Sequence, residues 1–252
     1  MAELEGSVAL VTGASRGLGK AIASTLAREG ARAALVDLKE KWAQAAAEDL
    51  IAEGGQAIGI EADVSDREAV HDAVRQVVAT YGGLDILVNN AMWNRYEPID
   101  AVSREVFDRM MGVGVAGIVW GIQAAAPVME ARGGGSIINI GSMAGRLGSA
   151  NALLYSAVKA AVDGMTRSAS VELGPKRIRV NSVAPSTIAT EAVRAMLDET
   201  TFAARVASTP LGRIGEVDDI AQAALWLASP RSGFVTGQSI AVDGGLGHAF
   251  PR

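Results

Sequence analysis

The chain has 252 residues, and 23 Lys and Arg against 28 Asp and Glu leave a formal net charge of −5. A hydrophobic fraction of 49% with 20% charged residues excludes a disordered chain and fits one that folds around a core. Cysteine is absent, which excludes disulfides, thiolate nucleophiles, Cys-ligated zinc and iron–sulfur clusters, and the acidic balance argues against nucleic acid and anionic membrane surfaces.

The N-terminal residues Met-Ala-Glu-Leu-Glu lack the basic and apolar regions of a signal peptide, which points to a cytoplasmic protein. A strand at 8–11 then leads into a helix at 17–28, and a strand at 33–36 into a helix at 40–53. A strand at 57–60 with a helix at 66–81, and a strand at 84–88 with a helix at 103–131, continue the pattern. The second half adds a strand at 136–140, a helix at 151–173, a strand at 178–183, a helix at 217–228 and a last strand at 239–242. The strands are apolar on successive positions, as expected when both faces are covered. Strands alternating with crossover helices predict one α/β domain over 1–252, a doubly wound parallel sheet of seven strands flanked by helices. Gly30, Gly82 and Gly174 follow helices, where a left-handed residue is wanted. The uncharged run 110–129 has the length of a bilayer span, but its glycines, Gln123 and Pro127 fit a helix packed on a sheet and a second subunit.

Ligands of such a sheet bind beyond the carboxyl ends of its strands. The first strand is followed by Thr12-Gly13-Ala14-Ser15-Arg16-Gly17-Leu18-Gly19. A glycine turn opening a helix can cradle a pyrophosphate, although a tight turn uses the same glycines without a ligand. Asp37 at the end of the second strand can accept both hydroxyls of an adenosine ribose and would repel a 2′-phosphate. NAD is therefore expected over NADP, against which stand Arg16 and Lys39 as possible phosphate partners. Ser142 ends the fifth strand, and Tyr155 and Lys159, four apart on a helix, share one face. A nearby ammonium favours the phenolate form of a tyrosine, which can then exchange a proton with an alcohol or ketone. Two distant histidines, His71 and His248, offer no metal cluster.

With these pieces, the chain resembles the short-chain dehydrogenase/reductase family over essentially its whole length. The matching blocks are residues 12–19, Asp63-Val64, Asn89-Asn90-Ala91, Ser142, Tyr155-Ser156-Ala157-Val158-Lys159, residues 179–185, and Thr236-Gly237-Gln238 with Val242-Asp243-Gly244-Gly245. The resemblance implies a Rossmann fold binding a nicotinamide cofactor, usually in a homotetramer or homodimer. It implies Tyr155 as acid and base, Lys159 lowering its pKa and holding the nicotinamide ribose, and Ser142 orienting the substrate. Asp63 would face the adenine, Asn89 would support the cleft, and Thr190 would lie near the carboxamide and pyrophosphate. Gly13, Ser15, Arg16, Gly17, Leu18, Gly19, Asp37, Val64, Pro185 and Ile188 complete the cofactor set. Residues around 187–212 would form a lid.

The chain also departs from the family pattern. Gly114 stands where an Asn normally holds a water that links the Lys to solvent, Met92 replaces a Gly, and Pro185 is followed by Ser186 instead of Gly. Two readings of Gly114 stay open: it leaves room for a second water that restores the relay, or it marks slow or altered chemistry. Trp93, Met143, Ala144 and Ser186 are expected to line the substrate pocket and to suit an apolar or aromatic secondary alcohol or ketone. Arg95 and Arg146 are candidates for a substrate carboxylate, Gly117 and Gly121 for a subunit contact, and the final Phe250-Pro251-Arg252 for reaching a neighbouring subunit. Two alternatives stay open: an NADPH-dependent ketoreductase, and a catalytically silent NAD-binding sensor or assembly subunit.

Overall fold

The structure, a computed structural model, describes residues 2–249, so Phe250-Pro251-Arg252 lie outside the described residues. Seven strands are found where short apolar runs occur: β1 (Val8–Thr12), β2 (Arg32–Asp37), β3 (Gln56–Glu61), β4 (Ile86–Asn89), β5 (Gly135–Ile140), β6 (Ile178–Pro185) and β7 (Ser239–Val242). They form one parallel sheet in the order β3-β2-β1-β4-β5-β6-β7. The order reverses at β1 and β4, which opens a crevice at the carboxyl ends of both.

Both faces of the sheet are covered, which explains the unbroken apolar runs. In β1, Ala9 and Val11 join one core cluster, and Val8 and Leu10 join the other. Each large aliphatic side chain so buried contributes about 1.5–3 kcal/mol. The helices α1 (Gly17–Arg28), α2 (Glu40–Ala52) and α9 (Val217–Ala228) pack into the first cluster. The second takes α3 (Arg67–Tyr81), α5 (Gly117–Ala131) and the end of α6 (Leu153–Leu173).

Local signals set the helix ends. Asp66 caps α3, its carboxylate accepting the Glu68 N–H at 2.8 Å, and Gly82 ends it at φ +82°. Gly30 is left-handed too, but Gly174 is not: its φ is −53°, and it opens a single tight turn after α6. The left-handed role there falls to Arg177 at φ 58°.

The predicted helix at 103–131 is a rod in three parts: α4 (Arg104–Met111), a π-turn at Gly112–Ala116, and α5. The rod Arg104–Ala131 is long and apolar enough to cross a membrane by length and composition, yet Ala124, Ala125 and Met129 pack into the second core cluster. A Cβ at Gly117 would lie 3.1 Å from the Val64 carbonyl, and one at Gly121 only 2.5 Å from Asn89 Oδ1. These glycines therefore serve close packing inside the chain, a use that needs no second subunit. The region 187–212 folds as α7 (Glu191–Met196) and α8 (Glu199–Ser208), capped by Thr190 and Asp198. Asp219 is structural: Arg213 and the Glu216 N–H hold its pKa down to about 2.

Candidate active site

The turn after β1 is held by its own backbone and by Asn90. Gly13 has φ +63°, and a Cβ there would lie 2.8 Å from Ala91 Cα. A Cβ at Gly19 would lie 2.2 Å from the Gly13 carbonyl, so α1 can start this close to the strand only with glycine. The Asn90 amide donates to the carbonyls of Thr12 at 2.8 Å and Gly13 at 3.0 Å. Arg16, at the N-cap of α1, makes no side-chain cap bond, so the helix presents its first-turn N–H groups without a capping side chain.

A cavity of about 430 Å³ lies beside this turn, lined by Gly13, Arg16, Asp37, Asp63, Val64 and Ala91 among others. Asp37 is fixed in it by two backbone donors, Ser15 N–H at 3.0 Å and Leu38 N–H at 2.8 Å. The Asp63 carboxylate accepts from Ser65 N–H and Oγ–H, at 2.9 and 2.7 Å. Arg16 lies over the Trp42 ring, 5.9 Å from its centroid, while Lys39 is not among the lining residues.

A second, larger cavity of about 730 Å³ holds Ser142, Tyr155 and Lys159. The two cavities meet at Asn90 and Met92, which line both. Leu18, Met143, Ala144, Pro185, Ser186, Ile188 and Thr190 line the larger one. Thr190 also stands over the glycine turn, its methyl 3.8 Å from where a Gly17 Cβ would be. Ser142 Oγ accepts the Ala144 N–H at 3.1 Å and shares the cavity wall with Tyr155.

Burial dominates the titration of this group. It pushes Tyr155 up to about 12, with Tyr96 adding to the rise and Ser142 opposing it. Burial also brings Lys159 down to about 8. Its Nζ lies 5.8 Å from the Tyr155 ring centroid and donates to the Ile140 carbonyl at 2.7 Å. The expected lowering of the Tyr155 pKa is therefore not found in the protein by itself, because desolvation outweighs the influence of Ser142.

The structure bears on three further expectations. Trp93 does not line the larger cavity; it lies in the smaller one, where Arg109 covers its ring at 4.5 Å. Asn89 supports the cleft from below, buried and donating to Asn139 Oδ1 at 2.9 Å, so the neighbouring Asn90 is the one that faces the cavities. Gly114 leaves no room for a water beside it: a Cβ there would lie 2.4 Å from Val158 Cγ1 and 2.9 Å from Met92 Sδ. Met92 thus occupies the space that Gly114 vacates, and the two departures are one exchange of volume.

Arg95 and Arg146 are engaged elsewhere. Arg95 pairs with Glu97 at 3.0 Å, and Arg146 binds Asp163 and the Ser239 carbonyl at 3.3 and 2.6 Å. The sequence did not single out Tyr96, which lines the larger cavity, or Trp42 in the smaller. Tyr96 meets Tyr155 edge-on, centroids 5.4 Å apart. One signal existed for it: a rare tyrosine, one of three in the chain, in the loop after the fourth strand. No group of three or more His, Asp or Glu able to hold a metal occurs among the described residues.

A family model described as enoyl-(acyl carrier protein) reductase matches residues 13–247. The chain is 38% identical to a sorbitol dehydrogenase of Cereibacter sphaeroides, over 96% of this chain and 98% of that one. It is 39% identical to the 3-oxoacyl-acyl-carrier-protein reductase FabG of Staphylococcus aureus strain Mu50, over 94% of this chain and 97% of that one. A solved structure from Sinorhizobium meliloti 1021, described as a short-chain alcohol dehydrogenase, aligns with a TM-score of 0.94 at 33% identity, over 98% of this chain and 99% of that one.

Proposed function

Because this chain belongs to the short-chain dehydrogenase/reductase family of oxidoreductases, we propose that it moves hydride between NAD and a secondary alcohol or its ketone, with Tyr155 as acid and base. The observation that carries this reading is the meeting of Ser142, Tyr155 and Lys159 in one cavity that shares Asn90 and Met92 as walls with the Asp37 cavity. The residues fit a dinucleotide: an uncapped α1 N-terminus suits a pyrophosphate, and Asp37 suits a ribose diol. Gly13, Arg16, Asp37, Asp63 and Val64 would hold its adenosine end, and Tyr155, Lys159, Pro185, Ile188 and Thr190 its nicotinamide end. When bound, the cofactor supplies or accepts the hydride.

The protein's part is proton transfer and orientation. In reduction, Tyr155 gives its phenol proton to the carbonyl oxygen, and a pKa near 12 keeps that proton in place at neutral pH. The Ser142 hydroxyl hydrogen-bonds the same oxygen as its charge changes. In oxidation Tyr155 takes the proton of the alcohol as a phenolate, with Lys159 Nζ 5.8 Å from the ring centroid as the nearest cation in the cavity wall. Met143, Leu147, Val193 and Leu197 give the cavity apolar walls suited to an apolar or aromatic body.

One observation favours a second reading, an NADPH-dependent ketoreductase: Arg16 lines the same cavity as Asp37 and could pair with a 2′-phosphate. Nicotinamide absorbance with NAD(H) and NADP(H), against a panel of secondary alcohols and ketones, decides between them. NAD(H) turnover is expected, with a loss of about 100-fold or more in Tyr155→Phe. Asp37→Ala is expected to relax the preference for NAD(H). NADP(H) preference in the parent would overturn the cofactor assignment, and binding without turnover across the panel would favour a silent NAD-binding protein.

A further inference from the structure

The cavity that holds Tyr155 contains no Asp or Glu among its lining residues, and its only charged side chains are Lys159 and Arg205. Lys159 is committed, buried beneath the tyrosine and bonded to the Ile140 carbonyl. Arg205 is an exposed residue of α8 that lines this cavity. The nearest arginines along the chain are neutralised: Arg194 pairs with Glu216 at 3.0 Å, and Arg213 with Asp219. Arg205 makes no ion pair among the described residues, although Glu191, Asp198 and Glu199 precede it closely in the chain. Its charge opposes the rise that burial imposes on the phenol of Tyr96, and Asn94 lines the same cavity.

From this geometry we infer that the substrate carries a carboxylate or a comparable anionic group, received by Arg205 together with Asn94 and Tyr96, while its carbonyl or alcohol carbon lies at Tyr155. A guanidinium without a protein carboxylate can form a paired, charge-assisted contact with such a group. Asn94 and Tyr96 add neutral donors, and the absence of acids from the walls removes the repulsion an anion would meet. The role that the sequence suggested for Arg95 and Arg146 thus passes to a residue whose place only the fold reveals. This inference rests on the oxidoreductase reading and adds a substrate class to it.

The test compares keto acids with their uncharged counterparts, using benzoylpropionate and benzoylbutyrate beside their methyl esters with the cofactor that turns over. The parent is expected to favour the acids in kcat/KM by about 10- to 100-fold, the scale of one charge-assisted contact. Arg205→Gln lowers kcat/KM for the acids far more than for the esters, chiefly through KM, and so removes the preference, whereas Arg205→Lys restores part of it. Equal kcat/KM for acid and ester, or a preference untouched by Arg205→Gln, overturns the inference and leaves the oxidoreductase reading standing. If neither acid nor ester turns over, calorimetric titration of benzoylpropionate into the cofactor-loaded protein decides. Binding weakened about 10-fold or more in Arg205→Gln upholds the anion site while the reaction fails, and absence of binding overturns it.

Discussion

Tyr155 sits between two opposing influences, and their balance decides which way the site is poised. Burial and Tyr96 raise its pKa, while Ser142 lowers it. Replacing Tyr96 by Phe removes one raising influence and keeps the ring edge, so the Tyr155 phenolate should form at lower pH. Under the proposed mechanism alcohol oxidation needs the phenolate, and its rate is then expected to begin its rise at lower pH in Tyr96→Phe than in the parent. The accompanying loss of activity should fall well short of the roughly 100-fold loss expected for Tyr155→Phe. A pH–rate profile of both proteins checks this, and an unchanged profile would remove Tyr96 from the proton chemistry. Ser142, Tyr155 and Lys159 were legible from sequence because each follows from spacing and strand ends. Tyr96 was not, since nothing in a loop sequence says which way the loop turns.

At the scale of elements, the rod from Arg104 to Ala131 shows how a helix accommodates an altered site. The π-turn at Gly112–Ala116 falls at Gly114, where the helix crosses α6 and the Met92 loop. Gly114→Asn forces a side chain into Val158 and Met92, and overpacking of this kind costs about 1–3 kcal/mol. Adding Met92→Gly vacates part of that space. Urea midpoints for the four proteins of this double-mutant cycle are expected to give a favourable coupling of about 0.5–3 kcal/mol. Additive effects would mean that the two departures are unrelated. Periodicity correctly predicted a helix across this whole stretch, but a π-turn adds one residue without breaking the apolar pattern and leaves no mark in the sequence. Gly174 makes the converse point. A glycine after a helix usually takes the left-handed position, but a further turn moved that position to Arg177.

At the scale of the whole molecule, large apolar side chains remain exposed on the helices outside the sheet. Phe107 on α4, Val119 on α5 and Val171 on α6 are 44%, 40% and 79% exposed. Together with the resemblance to a family of oligomers, these lead us to expect a homodimer or homotetramer. Light scattering on the eluting protein should then give two or four times the 25.9 kDa chain mass, and a monomer would refute the expectation. Charge substitutions at Val119 and Val171 are expected to reduce that mass, because a charge buried at an interface without a partner is costly.

By itself the sequence determined the architecture and the glycine turn, and it marked Asp37 and the trio Ser142, Tyr155 and Lys159 as the candidates for cofactor and proton chemistry. Those features arise from local chemistry, namely apolar runs, turn residues and spacings along single elements, which a linear reading can follow. Tertiary structure alone decided the surroundings: Asn90 instead of Asn89 at the cleft, Trp93 in the smaller cavity, Met92 in the space of Gly114, and Tyr96 and Arg205 beside Tyr155. These depend on how loops from separate strands converge at one edge of the sheet. Burial there, not sequence neighbours, sets the pKa of the tyrosine and leaves one arginine facing the cavity without a carboxylate.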